Sequence, residues 1–103
     1  MDLDVRHEEG KRYYVPFGDE MAELTYVDLS DQTRDFQHTF VPEEMRHRGV
    51  AEELVRHALD DTMRSGRRFI PTCPYVKRFV QRHPEYEKGL VPQEEEHELR
   101  HPA

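Results

Sequence analysis

Tryptophan is absent from this 103-residue sequence, cysteine occurs once, and no apolar run approaches the roughly 20 residues that cross a bilayer. The single thiol, Cys73, excludes an internal disulfide and fits a reducing compartment. The opening residues MDLDVRHEEG are acidic and hold no apolar signal segment, so the expectation is a cytoplasmic protein with no membrane contact. Several catalytic patterns are missing as well. There is no Walker loop, no Cys-x-x-Cys, no Ser/His/Asp order and no carboxylate pair of convincing geometry. His97 and His101 stand four apart, but without a third ligand they predict no metal site.

Positive charge is scarce, and where it lies is informative. The net charge is −7, with four basic and twelve acidic residues in 1–44, ten and six in 45–90, and one and four in 91–103. An acidic chain is a poor partner for nucleic acid, whose binding rests on many phosphate contacts. The basic middle suits a small polyanion instead. The chain is long enough for one domain with a single modest core.

That middle contains the most ordered stretch, Val41 to Arg64. Val50, Ala51, Leu54, Val55, Ala58, Leu59, Thr62 and Met63 recur at spacings of three and four, which predicts an amphipathic helix. Ser65-Gly66 ends it. Arg46, His47 and Arg48 precede the helix, where the macrodipole already carries partial positive charge. An anion relieves that clash, and Gly49 leaves the N–H groups of Gly49, Val50 and Ala51 accessible to one. The plainer alternative is a glycine that permits a tight turn beside solvated arginines.

Before this stretch, short β-rich runs at 3–8 and 12–16 flank a turn at Glu9-Gly10-Lys11. Residues 21–29 alternate, with Ala22, Leu24, Tyr26 and Asp28 on one face; residues 35–41 form the next strand, completing an antiparallel meander. After the helix, Arg68-Phe69-Ile70 resumes extended structure as a parallel neighbour. Pro71 lacks an N–H, so pairing should fail there, either opening a cleft between two strands or marking a free sheet edge. Pro74 starts a second helix that ends before His83-Pro84. Tyr86 to Val91 forms a short strand or packed coil. Residues 91–103 are expected to be an acidic, disordered tail behind a domain spanning 1–90.

Cys73 falls at the start of the second helix, where partial positive charge favours a thiolate. His38 lies on the strand entering the glycine turn. If the two strands are neighbours, both side chains reach the opening between them as a Cys/His pair; the alternative is a buried small hydrophobe and an ordinary strand histidine. Tyr75, one residue past Pro74, is the tyrosine best placed to donate a proton at that opening.

Together these features resemble the GNAT superfamily of acetyl-CoA-dependent N-acetyltransferases. Arg46-x-x-Gly49-x-Ala51, after His38-Thr39-Phe40-Val41 and opening a helix, is similar to its pyrophosphate-binding motif. His38-Thr39, Cys73-Pro74-Tyr75 and His83-Pro84-Glu85-Tyr86 resemble the small single-domain YjdJ-like subfamily. The resemblance implies a compact α/β GNAT-like fold, an antiparallel meander followed by a strand-helix-strand-helix unit. It implies pyrophosphate on Arg46, His47, Arg48, Gly49, Val50 and Ala51, and pantetheine along the strand through Phe40 and Val41. It further implies acetyl transfer to an amine, small molecule or protein lysine. His38 is then the base and Cys73 or Tyr75 the proton donor; a route through acetyl-Cys73 is the second mechanism. The two helices usual between the first two strands of the family are replaced by Glu9-Gly10-Lys11, so the acceptor side is expected to be open. A non-catalytic acyl-CoA-binding or sensing module, and a protein-interaction domain without cofactor, are the competing functions.

Overall fold

The computed structural model describes residues 3–100. Glycines in the left-handed conformation make the first two turns: Gly10 at φ 81° and Gly18 at φ 58°. They join β1 (Arg6–Glu8) to β2 (Arg12–Phe17) and β2 to β3 (Glu20–Ser30), each pair antiparallel. A two-residue turn leads to β4 (Thr33–Phe40), which also runs antiparallel to β3. The expected meander is therefore present. After α1 (Val50–Arg64), β5 (Arg68–Pro71) pairs with β4 in parallel, and the sheet order is β1-β2-β3-β4-β5.

Both long helices lie on one face of this sheet. Leu54, Val55, Ala58 and Leu59 of α1 are fully buried, as the three-and-four spacing predicts. They pack with Tyr13, Val15, Ala22, Leu24, Tyr26, Phe36 and Phe69 from the strands. Each such leucine or phenylalanine contributes roughly 1.5–3 kcal/mol by leaving water. α2 (Pro74–Arg82) adds Val76, Phe79 and Val80 to the same core. Pro74 occupies its first turn, where a missing N–H costs no helical hydrogen bond. Val27, Leu29 and Phe40 remain exposed.

A polar cluster joins the sheet to the C-terminal half of α1. Arg34 is 1% exposed and donates to Asp28 at 2.7 and 3.1 Å and to the Tyr13 hydroxyl at 2.8 Å. Its guanidinium lies 3.9 Å from the centre of the Tyr26 ring. Tyr13 in turn donates to Asp61 at 2.6 Å, and the His7 ring stacks on Tyr13 at 4.1 Å. Asp28, grouped by alternation with the buried face, is thus the exposed-side end of a buried ion pair.

Two C-terminal segments differ from expectation. Tyr86 to Val91 is neither strand nor coil throughout: residues Pro84–Gly89 form a 3-10 turn, and Leu90 then makes a single parallel bridge to Phe69. Residues 93–100, expected within a disordered tail, form α3 (Gln93–Arg100). Ion pairs from Arg68 to Glu95 and from Arg100 to Asp35 hold this polar helix, and no side chain of α3 is itself buried. Composition did not reveal it because its partners lie about 30 and 65 residues away in sequence. His101 lies outside the described residues. Among those residues no helix is long and apolar enough to cross a membrane.

Candidate functional site

β4 and β5 pair only as far as Phe36 opposite Pro71, followed by one bond from the Cys73 N–H to the Phe36 carbonyl at 2.9 Å. Pro71 supplies no N–H for a further rung. Beyond this point β5 gives way to α2, while β4 continues through Gln37 to Phe40, paired only with β3. The strands part, and the free backbone groups of β4 line the opening, as the cleft alternative required.

The chain then turns into α1 through two residues with positive φ, His47 at 67° and Gly49 at 74°. A left-handed residue without glycine is uncommon and costs backbone energy. Alternating handedness of this kind curls successive N–H groups inward into an anion-binding concavity. The first helical bond of α1 runs from the Glu53 N–H to the Gly49 carbonyl at 3.1 Å, which leaves the N–H groups of Val50, Ala51 and Glu52 without helical acceptors. No side chain caps this end. Arg46 is used differently from its neighbours. Its backbone N–H is spent on the Glu43 carbonyl and its Nε donates to the Val41 carbonyl at 3.0 Å, so it braces the loop as well as charging it. His47 and Arg48 are exposed.

A cleft of about 270 Å³ opens over these amides, lined by Val41, Met45, Gly49, Val50, Ala51 and Tyr75 among others. Burial, and then the charge of Glu52, push the Tyr75 phenol above its ordinary value of 10.0, so it holds its proton across the neutral range. A second recess of about 200 Å³ shares Tyr75 and Glu52 and adds Arg78, Arg82 and His83. These two arginines extend the positive lining beyond the loop; their spacing in sequence is an ordinary polar helix face, which carried no signal of this.

Cys73 is 3% exposed, and its Sγ lies 3.2 Å from the Thr39 hydroxyl. It does not meet His38. The reason is a bulge in β4: Thr25 pairs with His38 but Tyr26 pairs with Phe36, so Gln37 is an extra residue. Strict alternation from Phe36 places His38 on the helix-covered face with Cys73. The insertion shifts that alternation by one, turning His38 outward and exposed and bringing Thr39 to the thiol. The expected Cys/His pair is therefore not formed.

These features share one organisation, a parted strand pair and a glycine turn opening a helix. A sequence profile of the family described as GCN5-related N-acetyl-transferase matches residues 12–89. The chain belongs to this family. Within the GCN5-related family it is 33% identical over 94 residues to Protein NATD1 of Danio rerio, with 86% of each chain covered. It is 37% identical over 73 residues to Protein NATD1 of Bos taurus, covering 69% of this chain and 65% of that protein. An NMR structure of a GCN5-like protein from Staphylococcus aureus has the same fold, with a TM-score of 0.69 at 20% identity over 86% of this chain and 88% of the other. The expected α/β GNAT fold is thus met, meander first and strand-helix-strand-helix after it.

Proposed function

We propose that this chain is an acetyl-CoA-dependent N-acetyltransferase acting on an amine. The observation that carries this reading is the uncapped start of α1, curled by His47 and Gly49, opening onto a cleft shared with Tyr75 and with Val41, the residue that follows the parted strand β4. These residues fit the cofactor. N–H groups from His47 to Ala51 suit a pyrophosphate, with Arg46, His47 and Arg48 supplying countercharge. The free edge of β4 through Phe40 and Val41 suits an amide-bearing arm that hydrogen bonds as a strand does. Bound there, acetyl-CoA supplies an activated acyl thioester.

The geometry favours direct transfer over an acetyl-cysteine route. His38 faces away from the helices, on the side open to an acceptor, where it can take the proton of the attacking amine nitrogen. Tyr75, protonated at neutral pH, holds the proton that the departing sulfur needs as the carbon–nitrogen bond forms and the carbon–sulfur bond breaks. Cys73, buried against Thr39 and without His38, has no base for covalent catalysis. That same absence is the observation in favour of the second reading, a non-catalytic acyl-CoA-binding module.

Calorimetric titration with acetyl-CoA tests the site directly. Wild type is expected to bind in the micromolar range, and Gly49→Glu, verified as folded by circular dichroism, to lose binding. A folded wild type that does not bind overturns both cofactor readings. Binding without release of free thiol toward any amine, together with unchanged affinity in His38→Gln, selects the non-catalytic module.

A further inference from the structure

Asp35 is a fully buried carboxylate that the scheme above leaves unused. It lies on β4 one residue before the strands part, on the face away from α1 and α2, between the core residues Arg34 and Phe36. Its Oδ1 accepts from the Thr72 hydroxyl at 2.5 Å. Its Oδ2 accepts from the Gln37 side-chain amide at 2.6 Å and from Arg100 Nη2 at 2.5 Å. Arg100 also donates to the Thr72 oxygen at 2.7 Å. Gln37 is the bulge residue, so the same insertion that turns His38 outward brings an amide to this carboxylate.

A buried carboxylate carries a heavy desolvation penalty unless a cation offsets it. Thr72 and Gln37 are neutral, and the cation comes from the last turn of α3. That helix buries no side chain of its own, so it is the weakest-held element beside the site. Thr72 is exposed, so departure of Arg100 opens Asp35 to solvent. The result is a negatively charged socket beside the parted strands, on the sheet face away from α1 and α2, filled by a side chain of a helix that buries none of its own.

We propose that Asp35, Gln37 and Thr72 form the subsite for the acceptor's positive charge, and that Arg100 of α3 occupies it in cis until a cationic alkylamine displaces it. The proposal rests on the acetyltransferase reading of the β4 opening. It narrows the acceptor to amines carrying a positive charge on an extended chain, the shape of the arginine side chain that fills the socket. It also makes α3 an internal competitor.

The test is a nitrogen-15 NMR titration of the full chain, saturated with coenzyme A so that no acetyl transfer consumes the probe, using 1,5-diaminopentane as the probe. Saturable shifts are expected at the Gln37 side-chain amide and the Thr72 backbone N–H. Arg100→Gln, which leaves the core untouched, should strengthen the diamine's apparent affinity about tenfold by removing the competitor, and Arg100→Lys should restore the wild-type value. Asp35→Asn, where it folds, should abolish those shifts while coenzyme A still binds. Diamine affinity unchanged in Arg100→Gln overturns the proposal and leaves Arg100 as a clamp for α3 alone, as do shifts that appear elsewhere. Failure of coenzyme A to perturb residues 37–51 in the same spectra overturns the cofactor reading itself, a distinct outcome.

Discussion

Tyr75 shows how one residue acquires a role from its surroundings. On the first turn of α2 it is half-buried, faces the glycine turn, and is held protonated by burial and by Glu52. A phenol whose pKa is raised keeps an acid's function through neutral pH and loses it only above the ordinary tyrosine value of 10.0. Tyr75→Phe is therefore expected to lower kcat about 100-fold while leaving KM for acetyl-CoA nearly unchanged, measured by release of free thiol. A kcat within error of wild type removes Tyr75 from the chemistry. Gly89 depends on its surroundings in a different way. A Cβ there would sit 2.8 Å from Phe69 Cε1 and 2.9 Å from the Met63 side chain, so any larger residue forces Phe69 and Met63 to shift where the 3-10 turn approaches the core.

At the scale of elements, α1 and α2 were readable because their apolar residues obey one period and their ends carry glycine and proline signals. The cluster of His7, Tyr13, Tyr26, Arg34 and Asp61 was not, since it joins β1, β2, β3, β4 and α1 through side chains from distant positions. It has a pH consequence. Burial first, then the nearby Arg34 cation, lower the His7 pKa below 6.5, against weaker opposition from Glu9, Asp61 and Asp28. A depressed folded-state value means the unfolded chain binds the proton more readily, so this stability is present above 6.5 and is lost as pH falls toward the folded value. His7→Phe keeps the ring stack on Tyr13 without the titrating group. Its melting temperature should fall less than wild type between about pH 7 and about pH 5. An equal fall in both proteins would place the pH sensitivity in other groups.

For the molecule as a whole, the uneven charge along the sequence corresponds to an acidic meander beside a basic loop and α2. Electrostatics of this kind sets what approaches rather than how the chain folds. A ligand that binds only the native state stabilises it by mass action, about 2.7 kcal/mol at a hundredfold excess over Kd. Acetyl-CoA should accordingly raise the melting temperature of wild type by several degrees in a differential scanning experiment, and leave that of Gly49→Glu unmoved. A shift that survives in the variant would locate binding away from the start of α1.

What the amino-acid order determined by itself was everything governed by local periodicity and local backbone chemistry. Glycines at turns, prolines at helix starts and the three-and-four stripe of α1 act within a few residues of one another, so the meander, both long helices and the Arg46 to Ala51 loop were legible. Only the tertiary structure decided which face each strand residue takes beyond Phe36. A single inserted residue, Gln37, is invisible in composition and reverses every side chain after it, exchanging His38 for Thr39 at Cys73. The same holds for α3. Its sequence has too little apolar surface to fold alone, and its order comes from Arg68 and Asp35, whose charges become its partners only once β4 and β5 have paired.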